Sequence, residues 1–203
     1  PLLLQDPYVN LAFAAVETSR IKLGPLIETP MMRNPAVIAS SIATVERLAP
    51  TRTVLGYGVG DTAVRLMGKR PTRVAELEEA TVLTRQLLAG EEIEVNAARP
   101  AILRHAAKVP VWIAAGGPRT LQMAGRIADG VFIRVGRHKA NIKTAIEAVH
   151  RGAKEAGRDP EKIGIAVILH TILTDDLERA ALISRSMAAG FYEYSPALFD
   201  PPS

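Results

Sequence analysis

The segment Val111–Gly130 constrains the fold of this chain more than any other. It begins with a run of apolar residues, typical of a strand buried on both faces, and the run breaks at Gly116-Gly117-Pro118. A helical pattern of apolar residues follows and ends at Asp129-Gly130, before a second apolar run, Val131–Ile133. This order of strand, glycine turn, helix and strand is one βαβ unit. The sequence therefore predicts a parallel sheet covered by helices.

The same alternation of strands and helices extends along most of the chain. Five strands are predicted, at Arg20–Ile27, Thr53–Tyr57, Val111–Ala114, Val131–Arg134 and Ile163–Leu173. Besides the helix of the βαβ unit, helices are predicted at Tyr8–Ser19, Pro35–Leu48, Arg73–Leu88, Asn141–Ala156 and Leu177–Ala188. We expect one domain over residues 1–203, in which residues 91–107 are an excursion loop or mark a gap in the chain. A closed eight-stranded barrel typically takes ~250 residues, so the α/β pattern fits an open doubly wound sheet or a barrel that lacks elements at both ends.

Charge and composition favour a small anionic ligand over a nucleic acid or a membrane. The net charge is +4, but the basic residues are scattered and only 4% of residues are aromatic, unlike the concentrated basic face of nucleic-acid-binding proteins. No apolar run approaches the ~18 residues of a membrane span. Because the chain has no cysteine, disulfides and thiolate metal sites are excluded, and we expect a reducing compartment, the cytoplasm. The first residues carry neither an initiator Met nor a basic leader, so we expect the chain to begin inside a larger protein.

Gly116 and Gly117 mark the predicted binding site. They follow the carboxyl end of a strand and precede a helix, so the backbone can approach a ligand closely and free N–H groups can face an anion. A tight turn without a ligand is the alternative interpretation. No metal site is predicted, because His105, His150 and His170 have no second ligand at metal spacing.

Four segments, in the same order and spacing, resemble the bacterial luciferase-like superfamily. They are TSRIKLGPLIETPMMRNPAVIA (Thr18–Ala39), VLGYGVGDTAVRLMG (Val54–Gly68), VWIAAGGPRTLQMAGRIADGV (Val111–Val131) and FIRVGR (Phe132–Arg137). The resemblance runs from about Asp6 to Asp176. It is strongest to reductases and dehydrogenases that use the deazaflavin coenzyme F420, such as methylenetetrahydromethanopterin reductase.

The resemblance implies a luciferase-like TIM barrel, (β/α)₈, with its first two strands before Pro1 and its last strand after Ser203. It also implies an oxidoreductase that transfers a hydride between F420 and a small organic substrate. An FMN-dependent monooxygenase of the same superfamily is the main alternative. A non-catalytic flavin-binding relative and an unrelated phosphate-binding α/β domain are two others. The resemblance further implies a homodimer formed around the predicted helix Pro35–Leu48.

Two further implications concern the reacting end of the site. The resemblance implies a non-proline cis peptide bond at Leu26–Ile27, in a bulge behind the deazaflavin ring. It also places Asp61 near the reacting atoms, where a buried carboxyl could act as a proton donor or relay. The alternative role of Asp61 is an N-cap for the turn that follows the strand.

The remaining implied residues bind the cofactor's chain. The ribityl and phosphate groups would contact small residues at the end of one strand and a glycine and an arginine after the next. These residues are Ala114, Ala115, Gly116 and Gly117, followed by Gly136 and Arg137. Arginine suits this role because its guanidinium makes bidentate contacts to phosphate.

Overall fold

A computed structural model describes residues 6–94, 99–169 and 171–194, with side chains up to residue 185. These residues contain a parallel sheet of four strands in the order β1-β2-β3-β4, so each strand lies beside the next one in the chain. The strands are β1 (Leu55–Tyr57), β2 (Val111–Ala115), β3 (Gly130–Ile133) and β4 (Gly164–Val167). The helices are α1 (Pro7–Glu17), α2 (Pro35–Leu48), α3 (Thr62–Leu66), α4 (Val74–Ala89), α5 (Pro118–Ile127), α6 (Lys139–Glu155) and α7 (Leu177–Tyr194).

Local signals explain where the longer helices begin and end. α1 and α2 each begin at a proline preceded by a capping side chain, Asp6 and Asn34. The Asn34 side chain accepts a hydrogen bond from the N–H of Ala36 at 2.9 Å and so satisfies one of the free N–H groups of the first turn. α4 ends at Gly90, which adopts the left-handed conformation with φ 78°.

The strands alternate between two faces of the sheet. On the outer face, Val111 and Ile113 of β2 are fully buried in the core beneath the helices. Tyr57 of β1 also lies on this face, and its hydroxyl is 3.0 Å from that of Thr84 in α4. On the inner face, Trp112 is only half-buried. Among the described residues of β2, the inner face is therefore more exposed than the outer one.

Trp112 explains two glycines on the inner face. A Cβ atom on Gly130 of β3 or on Gly164 of β4 would lie 2.6 Å from Cζ2 of Trp112, too close for any real contact. The ring of Phe132 is beside it, with the two ring centroids 4.9 Å apart. The indole thus lies across two neighbouring strands that carry no side chain beneath it.

The predicted strand Arg20–Ile27 is wrong as a continuous strand. The chain instead runs beside β1 through two isolated parallel bridges, Leu23 to Thr53 and Glu28 to Tyr57. The bridges are five positions apart on this segment and four on the other, so one extra residue is inserted, which defines a β-bulge. Pro25, which has no N–H to donate, lies within the bulge.

Three other differences from the sequence prediction are local. The predicted strand Ile163–Leu173 is wrong beyond Val167. Its last backbone hydrogen bond to β3 runs from the N–H of Ile168 to the carbonyl of Ile133, where β3 ends. His170 lies outside the described residues. The five-residue helix α3 was not predicted. Within the predicted excursion, Ile93 and Ala101 form an antiparallel bridge, and residues 95–98 lie outside the described part.

Candidate functional site

The sequence-predicted site residues lie along the carboxyl edge of the sheet. In a parallel sheet every strand ends at the same edge, and ligands bind there. The residues come from four successive segments: the bulge beside β1, the turn after β1, the turn after β2 and the turn after β3. They are Leu26 and Ile27; Asp61; Ala114 to Gly117; and Gly136 with Arg137.

Leu26 and Ile27 form an apolar surface over the start of the site. The peptide bond between them is cis, as the resemblance implies. Their side chains both reach the inner face over β1: a Cβ on Gly56 would lie 3.5 Å from Leu26 Cδ1 and 3.4 Å from Ile27 Cγ2. Ile27 Cδ1 fills the space beside Gly58, where a Cβ would also lie 3.7 Å from Ala114 Cβ. We call Leu26, Ile27 and Ala114 the apolar shelf, and Leu26 in it is 60% exposed.

The glycine turn after β2 joins the shelf to the start of α5. Gly116 allows close approach to β3, since a Cβ there would lie 2.6 Å from the carbonyl oxygen of Arg134. Around Gly117 the space is open, with no other atom within 4 Å of a Cβ position. Gly117 is also the N-cap of α5, whose first N–H groups have no partner within the helix. Binding of an anion at this turn stays a prediction.

Ala115 differs from the other three small residues of this turn. Its side chain lies on the outer face, 4% exposed, and its carbonyl accepts a hydrogen bond from the N–H of Arg134 at 3.0 Å. Any contact of Ala115 with a ligand on the inner face is therefore limited to its backbone.

The turn after β3 contributes positive charge. Gly136 adopts the left-handed conformation with φ 73°, which glycine tolerates best, and Arg137 follows it with an exposed side chain. Arg119, in the first turn of α5, is also exposed. Neither guanidinium has an ion-pair partner in the part of the chain that the structure describes.

Asp61 lies at the β1 end of the site and is paired. It occupies the N-cap position of α3, but its side chain makes no capping hydrogen bond. Its Oδ1 instead accepts a hydrogen bond from Arg65 Nε at 3.0 Å, and the side chain is 39% exposed. The capping alternative is therefore not observed, and the proton-transfer role stays a prediction.

The site has an uneven distribution of charge. On the β1 side the guanidinium groups are paired with carboxylates: Arg65 with Asp61 at 3.0 Å, Arg33 with Asp6 at 2.6 Å, and Arg70 with Glu76 at 2.6 Å. On the β2–β3 side, Arg119 and Arg137 are not paired within the described residues. The guanidinium groups of Arg119 and Arg137 thus lie on the same side as the glycine turn and the amino end of α5, an arrangement that suits an anion.

Sequence reasoning missed Glu28, the residue after the shelf. It is only 8% exposed, and its Oε2 has no hydrogen-bond partner among the described residues. Burial raises the pKa of this carboxyl, and the charge of Arg33, with Nε 3.7 Å from Oε2, opposes the rise. The signal available in the sequence was a lone acidic residue between Ile27 and the Thr29-Pro30 turn.

A cavity of about 940 Å³ at the opposite, amino edge of the sheet contains none of the predicted site residues. Arg85 there binds Asp129 through two contacts, of 2.5 and 3.1 Å, and Asp129 also accepts from the N–H of Val111 at 2.8 Å. These bonds fix the start of β2 and β3, which is the stabilising role typical of this edge in barrel folds.

No group of three or more metal-ligating side chains was found within the described residues. Among the helices described there, none is both long and apolar enough to span a bilayer.

The chain belongs to the luciferase-like monooxygenase family, whose family model it matches over residues 2–198. It is 30% identical over 203 residues to the 5,10-methylenetetrahydromethanopterin reductase of Methanolobus tindarius, covering 95% of this chain and 61% of that one. It is 34% identical over 185 residues to the F420-dependent glucose-6-phosphate dehydrogenase of Kineococcus radiotolerans, covering 85% and 55%. The solved structure of the coenzyme F420-dependent tetrahydromethanopterin reductase of Methanopyrus kandleri matches with a TM-score of 0.70 and 30% identity, over 80% of this chain and 54% of that one. These matches confirm the luciferase-like fold, and the chain spans about three fifths of the length of the first curated relatives.

Proposed function

We propose that the protein is an F420-dependent oxidoreductase that transfers a hydride between the deazaflavin and a small organic substrate. The names of its relatives support the cofactor. The observation that carries the proposal is the pairing of an apolar shelf with an open glycine turn. A flat ring fits against Leu26, Ile27 and Ala114, and a phosphate-bearing chain fits the space at Gly117. The guanidinium groups of Arg119 and Arg137, which have no ion-pair partner among the described residues, lie on that same side.

The protein's own contribution is binding and orientation. When bound, F420 supplies the hydride chemistry itself. The shelf excludes water from one side of the site, and the glycine turn holds an anionic chain through backbone N–H groups. Asp61, whose Oδ1 is bound to Arg65, is proposed to hold or pass a proton at Oδ2 near the reacting atoms.

A titration of the purified full-length protein with F420 and with FMN tests the cofactor assignment. We expect F420 to bind more tightly and to be reduced by a substrate without oxygen consumption. Tighter binding of FMN, with turnover that consumes oxygen, would assign the protein to the monooxygenases instead.

The assembly and the cellular location of the whole protein are likewise proposals. A homodimer formed around α2 is supported by apolar side chains exposed on one face of α1, the helix that contacts α2: Val9, Phe13 and Val16 are 63–69% exposed. Light scattering of the purified protein would show a mass of two chains if this face pairs. Placement in the cytoplasm remains a prediction.

Replacing Arg137 with alanine tests the phosphate role. We expect the Kd for F420 to rise by the equivalent of about 1.5–3 kcal/mol, the range for a hydrogen bond to a charged group. The unfolding midpoint should not change, because the side chain is exposed. Fluorescence titration of F420 measures the Kd, and Arg20→Ala, which removes an exposed arginine far from the turn, is the matched control. Equal affinities for both variants would contradict the role.

A further inference from the structure

Glu28 connects the apolar shelf to the helix layer. Its N–H donates to the carbonyl of Gly56 at 2.8 Å, and its carbonyl accepts from the N–H of Gly58 at 3.0 Å, so its backbone is fixed to β1 on both sides. Its side chain lies on the outer face, beside Tyr57. Leu26 and Ile27, two residues and one residue earlier, reach the inner face. The bulge therefore ends at Glu28, where the chain returns to the outer face.

Four side chains surround this carboxyl on the outer face. Arg33 Nε lies 3.7 Å from Glu28 Oε2, and Arg33 Nη2 lies 2.6 Å from Asp6 Oδ2. The Arg33 guanidinium also stacks 5.2 Å from the ring centre of Tyr8, whose buried hydroxyl has no hydrogen-bond partner among the described residues. Tyr57 is the fourth neighbour, and the charge of Glu28 contributes to the raised pKa values of both tyrosines, after burial. Arg33 thus joins the shelf segment to the start of α1.

A buried carboxylate with one long ion pair is a poor stabilising element. Replacing a buried ionic group by an apolar residue of similar size is often neutral or stabilising. Leu23 and Leu55 are core residues of this same face, so an apolar side chain at position 28 would also have apolar neighbours. Fold stability alone therefore does not account for an acidic residue at this position.

We propose that Glu28 is a positioning residue for the cofactor site, which holds the Leu26–Ile27 part of the shelf in place through its pairing with Arg33. This role rests on the proposed F420 function. Between its two bridges the bulge is bound to β1 by a single backbone hydrogen bond, from the N–H of Gly56 to the carbonyl of Pro25. The ionised carboxyl of Glu28 is attracted to Arg33, and this attraction helps to keep the bulge against β1.

The test combines F420 affinity with thermal unfolding in the full-length protein. Glu28→Leu should weaken F420 binding about tenfold while the unfolding midpoint stays equal or rises. Arg33→Met should weaken binding similarly, and the double variant should bind no more weakly than either single one, because both remove the same interaction. Glu92→Gln, the loss of an exposed acidic residue, is the control and should change neither quantity.

A second variant adds a pH readout. In Glu28→Gln the new side chain has nearly the same shape as the original one, but its amide cannot ionise. Wild-type F420 affinity should fall as the pH is lowered through the raised pKa of Glu28, whereas the affinity of Glu28→Gln should lack this component. The stability of the wild type should change in the opposite direction. Because burial raises the pKa of Glu28 in the folded state, the folded protein binds the proton first, and its free energy of unfolding rises relative to Glu28→Gln over that window.

The outcomes separate the possible explanations. Unchanged F420 affinity in Glu28→Leu overturns the positioning role. A fall of both the affinity and the unfolding midpoint in this variant also overturns it, because that result is expected for a purely structural residue. Additive losses in the double variant also overturn it. If the wild type itself fails to bind F420, the proposed function fails and the positioning role falls with it.

Discussion

Gly117→Val is expected to weaken F420 binding at least about 100-fold, or about 2.7 kcal/mol, without destabilising the fold. The reason is that the backbone at Gly117, with φ −85° and ψ 150°, suits any L-residue, and nothing lies within 4 Å of the added Cβ. The new side chain would occupy the space assigned to the anionic chain of the cofactor. Fluorescence titration and thermal unfolding measure the two effects.

Two variants serve as controls for that result. Ala75→Val adds bulk at an exposed position in the first turn of α4 and should change neither affinity nor stability. Gly116→Ala should destabilise the protein, because its Cβ would meet the Arg134 carbonyl oxygen at 2.6 Å. If Gly117→Val binds F420 as tightly as the wild type, the cofactor does not occupy this turn.

Gly125→Ala and Gly152→Ala are each expected to lower the free energy of unfolding by about 2–3 kcal/mol. α5 and α6 pack backbone against backbone at these glycines. A Cβ on Gly125 would lie 2.9 Å from the N of Ala153, and one on Gly152 would lie 2.7 Å from the carbonyl carbon of Gln122. Since the obstructing atoms belong to helix backbones, the clash is relieved only by moving the helices apart. That loss exceeds the ~1 kcal/mol that alanine gains over glycine in helix propensity.

Urea denaturation gives these free energies directly. Thr144→Ala is the matched control, because it places an alanine at an exposed position of α6, where no packing is disturbed. Its free energy of unfolding should equal that of the wild type or slightly exceed it. Equal stabilities for Gly125→Ala and Thr144→Ala would show that α5 and α6 can separate at little cost.

The elements that the sequence predicted well carry strong local signals. α2 has its predicted ends, Pro35 and Leu48, because Asn34 caps a proline start and the apolar residues repeat at helical spacing. β2 and β3 follow from apolar runs that are too short for helices. The segment beside β1 was predicted less well, because one inserted residue shifts the alternation of faces between Leu23 and Glu28. Such a shift depends on pairing with β1 and has no local pattern of its own.

The site residues likewise fall into those that a local sequence signal predicts and those that depend on the fold. The glycine turn at Gly116 and Gly117 was predictable, since a strand end followed by glycines and a helix start is a general anion-binding arrangement. The outward direction of Ala115 also follows from the period of two along β2. Glu28 and its contact with Arg33 required the fold, because the direction of Glu28 depends on the inserted residue. The pairing of Asp61 with Arg65 required the short helix α3, which has too few residues for a recognisable period.

Trp112 gives the protein an optical probe of its own ligand edge. It is the sole tryptophan in the 203 residues, and it lies on the inner face two residues before Ala114, about 7 Å away along the strand. Because Gly130 and Gly164 leave room for the indole there, its emission originates within energy-transfer distance of any chromophore held on the shelf. Occupancy of the site can thus be followed in unlabelled protein by the quenching of its intrinsic fluorescence.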